Sequence, residues 1–285
     1  MTQYIHAAIL GIVQGIAEFL PISSSAHLLI FGALLNPSDG TEMPTESTTM
    51  MIALHFGTLL SILVVYRRDL LPVIRNVRLL SLIVLATIPV GLVGLLFRDQ
   101  VETVFNTPLL AGEALIVTAV FLLVGRHLQH RQDQSSKLGA VSAGLIGVFQ
   151  AIAVIPGISR SGSTIAAGLS CGLSREEAAR FSFLIAIPAI AGVSVVQAKA
   201  FVTGDAPVDT NLWPVVLGTA IAFVVGVAAL SWLLRIVTSD RLHWFAGYCL
   251  LAGVATIAWQ LIAANPESPE HRYVEPAAAI QQFTD

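Results

Sequence analysis

Gly11-Ile12-Val13-Gln14-Gly15-Ile16-Ala17-Glu18-Phe19-Leu20-Pro21-Ile22-Ser23-Ser24-Ser25-Ala26-His27 returns in the middle of the chain as Gly147-Val148-Phe149-Gln150-Ala151-Ile152-Ala153-Val154-Ile155-Pro156-Gly157-Ile158-Ser159-Arg160-Ser161-Gly162-Ser163. Aligned without a gap, Gly11, Gln14, Ile16, Ala17, Ile22, Ser23 and Ser25 meet identical residues. The differences are chemical: Glu18 and His27 belong only to the first copy, and Arg160 only to the second. Two similar scaffolds with complementary charges are a way to build a shared site for an anion. Each copy lies in a stretch, 4–35 or 139–173, that is apolar at both ends and interrupted by Pro and a cluster of Ser. Proline removes a helix donor and clashes with the preceding turn. Irregular backbone at membrane depth survives only where it is buried in protein or lines a wet cavity. Both stretches are therefore expected to be re-entrant hairpins: helix in, turn at the Pro/Ser cluster, helix out.

Membrane residence follows from composition. The 285 residues are 55% hydrophobic and 12% charged, and their mean hydropathy is +0.79, far from soluble averages. Six further runs, near 50–66, 79–97, 109–127, 180–202, 213–237 and 243–264, have the length needed to cross a bilayer as helices. The expected fold is an all-α integral membrane protein with six transmembrane helices and two re-entrant helical hairpins in an inverted-topology repeat. No Lys or Arg precedes the first apolar run and no small-residue cleavage site follows it, so a cleaved signal peptide is not expected. A net charge of -3 gives no support to nucleic-acid binding. Cys171 and Cys249 lack metal-like spacing and read as buried structural thiols.

Charge sets the expected orientation. Basic residues gather in the links after the first span (Arg67, Arg68, Arg75, Arg78), the third (Arg126, Arg131, Lys137) and the fifth (Arg235, Arg241). Acids occupy the intervening segments: Asp39, Glu42 and Glu46, then Asp99 and Glu102, then Asp205 and Asp209. The positive-inside rule makes the basic links cytoplasmic and puts both termini outside. Three spans separate the hairpins, so they enter from opposite faces and their tips can meet near the midplane. Residues 1–264 read as one polytopic domain. Its first half, 1–127, joins the second, 139–264, through the polar link 128–138. The polar, Pro-containing tail 265–285 reads as mobile and dispensable.

Glu18 is the only acid, and Arg160 the only Arg or Lys, in the apolar body of their hairpins. A charge at bilayer depth costs about 2.5–3.5 kcal/mol on insertion scales, so such residues are kept when they pair or work. A structural Glu18–Arg160 ion pair alone would account for both. The company they keep points further. Gln14 and Glu18, one turn apart, share a helix face. Ser23 and Ser24 lie four and three residues before His27, so either hydroxyl could face the imidazole on a helical limb. Ser159, Ser161, Ser163 and Thr164 surround Arg160, and Gly157 and Gly162 allow close backbone approach. Hydroxyls, a guanidinium fork and a helix N-terminus form a phosphate cradle. An acid, an imidazole and candidate nucleophilic hydroxyls beside that cradle suit phosphoryl transfer. Gln14 and Glu18 offer oxygens to a hard divalent cation, Mg2+ or Ca2+, with substrate and water completing the shell. His55 could approach the site, but reads first as a packing histidine. Glu113, Glu177 and Arg180 read as side chains near a membrane surface, and Trp213, Trp244 and Trp259 as interfacial or packing aromatics.

Gln14-x-x-x-Glu18 followed by Phe19-Leu20-Pro21-Ile22-Ser23-Ser24-Ser25-Ala26-His27 resembles the first signature of the bacterial undecaprenyl-diphosphate phosphatases of the bacitracin-resistance family. Pro156-Gly157-Ile158-Ser159-Arg160-Ser161-Gly162-Ser163-Thr164 resembles the second, PGxSRSxxT. Position 14 is Gln where many members have Glu, and the family pattern admits either. The resemblance implies hydrolysis of the C55 isoprenyl diphosphate to the monophosphate carrier of cell-wall synthesis, with a divalent cation, in the bacterial plasma membrane. It also implies bacitracin resistance and a site opening to the outer face. Under it, Arg160 binds the diphosphate with Ser159, Ser161, Thr164, Ser23 and Ser25, and Glu18 holds the metal or acts as base. Ser24 activated by a base, His27 attacking directly and a metal-activated water remain open as nucleophile. The expected partners are the isoprenyl diphosphate and membrane lipids. Oligomeric state, a homodimer included, is not set by the sequence. The rival function is a transporter or flippase of a lipid phosphate, since inverted repeats with broken helices are a transporter plan. A carrier has no use for a nucleophile, and Ser24 with Glu18 and His27 is the feature that separates the two.

Overall fold

Two helix–break–helix units stand where the repeated stretches place them. In the first, α1 (Thr2–Ala17) stops before residues 18–23 and α2 (Ser24–Leu35) follows. In the second, α7 (Ala140–Ile152) and α8 (Arg160–Ser170) flank residues 153–159. Between the units run α3 (Thr48–Val65), α4 (Arg67–Arg75), α5 (Val77–Leu96) and α6 (Pro108–Gln129), and after them α9 (Arg175–Val202), α10 (Trp213–Thr238) and α11 (Leu242–Ala263). This computed structural model describes residues 2–35, 48–97, 100, 107–129, 137–202, 212–238 and 241–263. The acidic segments 39–46 and 205–209, Asp99 and Glu102, Arg131 and the tail 265–285 lie outside the described residues. Every described element is helical.

Five of these helices, α5, α6, α9, α10 and α11, are long and apolar enough to cross a membrane. The expected first span, 50–66, is present as α3, which qualifies only together with α4, bent away from it by 79°. The chain is thus a multi-pass membrane protein. Its outer surface is apolar in the manner of a lipid-facing one: Val84, Ile88, Leu92 and Leu95 project from one side of α5 and are exposed. Trp213 and Trp244 are also exposed, as the interfacial reading requires.

Helix boundaries have local causes. Asn76 caps α5 by accepting from the Leu79 N–H at 3.1 Å, and Ser174 caps α9 by accepting from the Glu177 N–H at 3.2 Å. That cap starts α9 five residues before the expected span at 180, which brings Glu177 inside the helix. Arg180 does not merely snorkel; its guanidinium lies 2.8 Å from Asp69 of α4. The Arg-rich link after α3 is itself the helix α4 rather than an unstructured connector. Leu70, Val73 and Ile74 share one helical face, and Asp69 opens the helix while Arg75 closes it, as the macrodipole favours.

Packing interlaces the two halves. α1 lies against α10 and α7 against α5; α3 meets α10 and α9 meets α5; α6 pairs with α11. Without a hydrophobic drive between helices in lipid, close contact depends on small residues. A Cβ on Gly11 would stand 2.6 Å from the Gly218 carbonyl oxygen, and one on Gly147, the repeat equivalent of Gly11, 2.7 Å from that of Ala86. Gly147→Val should therefore force α7 off α5 and cost about 1–3 kcal/mol of stability, the range for overpacking. A lowered midpoint of thermal unfolding in detergent, relative to the same change at the unconfined Gly144, checks this.

Candidate active site

The tips of the two units touch. Ser161 Oγ donates to the Leu20 carbonyl at 3.2 Å, and the Gly157 N–H reaches Ser25 Oγ at 3.3 Å. At their junction Arg160 Nη2 is 2.7 Å from Glu18 Oε1. Oε2 of the same carboxylate accepts from Ser24 Oγ at 2.8 Å and from Gln14 Nε2 at 3.1 Å. The side chains of Glu18 and Arg160 are 8% and 15% exposed, so each charge has traded water for the other.

Each break is shaped by its sequence. In the first, α1 unwinds past the Leu20 N–H to Ile16 carbonyl bond, and Pro21 offers no further donor. Ser23 then adopts φ 68, the left-handed region, at a cost of about 1–3 kcal/mol for a non-glycine residue. His27 secures this turn: its backbone N–H and its ring Nδ1 both reach the Ser23 carbonyl, at 3.3 and 2.7 Å. In the second break Gly157 takes φ +101, and a Cβ there would meet that of Ala114 at 2.5 Å, so only glycine fits. Ser159 caps α8 by accepting from the Gly162 N–H at 3.1 Å.

Helices outside the units brace both tips. Thr118, in the middle of α6, donates to the Gly157 carbonyl at 3.1 Å and accepts from the Ser159 N–H at 2.9 Å. From α11, Cys249 Sγ donates to the Pro21 carbonyl at 3.4 Å, and the Tyr248 hydroxyl is 2.6 Å from His27 Nε2. Cys249 is thus a buried thiol with a structural contact.

The side chains singled out in the sequence divide into groups. Gln14, Glu18, Ser24 and Arg160 converge on one point. Ser23 Oγ and Ser25 Oγ lie 3.1 Å apart beside it. His27 turns toward the Ser23 carbonyl and Tyr248, and Ser24 directs its hydroxyl to Glu18. Ser159, Ser161 and Thr164 are buried and engaged within the protein: the first two as above, and Thr164 with the Arg160 carbonyl at 2.7 Å and Ser182 at 2.6 Å. His55 is not merely a packing histidine. Its Nδ1 holds the Met51 carbonyl at 2.8 Å, while Nε2 stands 3.9 Å from Glu18 Oε2. An ionisable ring in an apolar span is the local feature behind the reading that it could approach the site. Tyr248 and Thr118 gave no local signal at all.

Gln14 Oε1 and Arg160 Nη1 are buried with no hydrogen-bond partner among the described residues, so an acceptor and a cationic donor are left over beside one carboxylate. No group of three His, Cys, Asp or Glu among the described residues could enclose a metal ion. The oxygens of Gln14 and Glu18 suit a hard cation only if other ligands complete its shell.

Fold and site together define a polytopic helical membrane protein with an ion-paired, hydroxyl-bearing centre where two helix breaks meet. The model of the bacitracin resistance protein BacA family matches residues 7–255, and the chain belongs to that family. Among similar proteins, an undecaprenyl-diphosphatase of Rhodopirellula baltica is 45% identical over 92% of this chain and 100% of its own length. Undecaprenyl-diphosphatases of Desulforapulum autotrophicum and Methanosphaera stadtmanae are each 36% identical, covering 90% and 92% of this chain and 99% and 100% of their own.

Arg160→Met strands the Glu18 carboxylate, and the expected loss of stability is about 3–5 kcal/mol. Adding Glu18→Gln should restore most of it, because no buried charge then remains. Thermal unfolding of the single and double variants in detergent measures both effects.

Proposed function

We propose that this protein hydrolyses undecaprenyl diphosphate to undecaprenyl phosphate and inorganic phosphate where its two tips meet. The single observation that carries the chemistry is Ser24 Oγ donating to Glu18 Oε2 at 2.8 Å, beside the Arg160 guanidinium. A hydroxyl already bonded to a carboxylate base is an activated nucleophile. The family and the names of the similar proteins supply the substrate.

Arg160 receives the diphosphate, with its unpartnered Nη1 available to a phosphate oxygen. Glu18, released from part of its ion pairing, takes the proton of Ser24 as Oγ attacks the terminal phosphorus. The bond from that phosphorus to the bridging oxygen breaks, and undecaprenyl phosphate leaves with the oxygen. Once Glu18 has passed its proton to solvent, it deprotonates the water that cleaves the phosphoserine; inorganic phosphate departs and Ser24 regains a proton. Ser25, exposed beside Ser24, helps hold the phosphate. Ser23, Ser159, Ser161 and Thr164 hold the two turns in place around it. His27 steadies the turn that carries Ser24. A divalent cation, Mg2+ or Ca2+, held by Gln14 and Glu18 with substrate oxygens, would neutralise charge on the diphosphate.

The two units are proposed to be re-entrant and oppositely inserted. The exchange of partners between halves, α1 with α10 and α7 with α5, is what an inverted repeat produces. The Arg180–Asp69 pair and the 3.3 Å bond from Arg78 to the Leu138 carbonyl gather two Arg-rich links at one end. That end is then cytoplasmic, with both termini and the mouth of the site on the outer face of the plasma membrane. A lipid carrier would need Arg160 but would leave the Ser24–Glu18 bond without a task.

Purified protein in detergent, given undecaprenyl diphosphate, should release phosphate, and chelator should suppress the release. Ser24→Ala, Glu18→Gln and Arg160→Ala should each cut kcat by about 100-fold or more, the scale of losing a group that acts in the transition state. Binding without phosphate release by the wild type would establish the carrier instead.

A further inference from the structure

We propose that Tyr248 is a positioning residue of this centre, acting through His27 on the turn that aims Ser24; the proposal rests on the phosphatase reading. Nδ1 of His27 lies 2.7 Å from the Ser23 carbonyl, which only accepts, so Nδ1 carries a proton. In the neutral ring Nε2 is then a bare lone pair, and the Tyr248 hydroxyl, 2.6 Å away, donates to it. The two rings are stacked, with centroids 5.6 Å apart and planes 13° from parallel. Tyr248 therefore selects the tautomer in which His27 grips the Ser23 carbonyl. The opposite tautomer would set the Nδ1 lone pair against that carbonyl oxygen.

What is gripped is the strained residue of the site. Ser23 stands at φ 68, and both the backbone N–H and the ring of His27 converge on its carbonyl. Such a conformation persists only when its surroundings over-determine it. The next residue is Ser24, whose hydroxyl meets Glu18 at 2.8 Å. Relaxing Ser23 would swing Ser24 off its base, and a nucleophile displaced by about 1 Å can cost two orders of magnitude. The adjoining residue of α11 grips the same tip independently, as Cys249 bonds the Pro21 carbonyl at 3.4 Å. One turn of α11 thus holds the break on both sides, at Pro21 and at His27.

Tyr248→Phe keeps the ring and its stacking and removes only the O–H. In the full-length protein with undecaprenyl diphosphate, kcat should fall about tenfold, as for loss of an orienting partner, with KM within about twofold, since a positioning loss spares ground-state binding. Added to His27→Ala, the same change should do nothing more, because the two act as one unit. Separately, 15N spectra of histidine-labelled protein should show His27, assigned by its absence in His27→Ala, as a single Nδ1–H tautomer in the wild type and a mixture in Tyr248→Phe. An unchanged kcat, an additive loss in the double variant, or an unaltered His27 spectrum would each overturn the proposal. Absence of phosphate release by the wild type would instead sink the phosphatase reading, and the spectra would still decide the Tyr248–His27 link.

Discussion

A carboxylate and a guanidinium 2.7 Å apart, nine-tenths and more than four-fifths shielded, set the terms for everything around them. Either charge alone in such surroundings costs several kcal/mol. Together they tolerate burial only while the tips that carry them stay in contact, so the fold must hold two interrupted helices end to end. The pairing is also incomplete by design. Arg160 spends one amino group on Glu18 and has another without a partner among the described residues, where Gln14 likewise keeps an idle oxygen.

The remaining helices can be understood as the means of keeping that contact. α6 reaches the second tip through Thr118, which both donates and accepts, and α11 reaches the first through Cys249 and Tyr248. α6 and α11 in turn pack on one another through Gly112 and Gly253: a Cβ on Gly253 would stand 2.6 Å from the Gly112 carbonyl oxygen, and one on Gly112 a tight 3.1 Å from that of Gly253. Since lipid supplies no hydrophobic drive between helices, this closeness is what turns two weakly held turns into one rigid junction.

Much of this was legible in the residues. Long apolar runs announced the spans, and a proline followed by serines announced each break, because both signals are local. Glu18 and Arg160 were legible as partners because a lone charge in an apolar stretch demands an explanation. The hydroxyls were harder. Ser24 and Thr164 sit in similar motifs, yet one faces a carboxylate and the other Ser182. A hydroxyl at the start of a helix has several acceptors in reach, and only the packed neighbours choose among them. α4 is hard to see in the sequence because Arg67, Arg68 and Arg75 dominate its nine residues, and three apolar side chains on one face, Leu70, Val73 and Ile74, are too few for a clear helical period. Tyr248 was out of reach of any local rule, since its partner is 221 positions away.

The repeat carries one more consequence. In the ungapped alignment Ser24 stands opposite Arg160, and Glu18 opposite Val154. Were the halves identical chains assembled as a symmetric pair, every contact of one position with another would recur with the roles exchanged, so Glu18 would face Ser24 of its partner and no guanidinium could stand there unless it replaced that serine in both copies. Halves joined in one chain escape that requirement, so one carries Glu18 and Ser24 while the other carries Arg160. The working asymmetry of the centre is thus a property of having both halves on a single polypeptide.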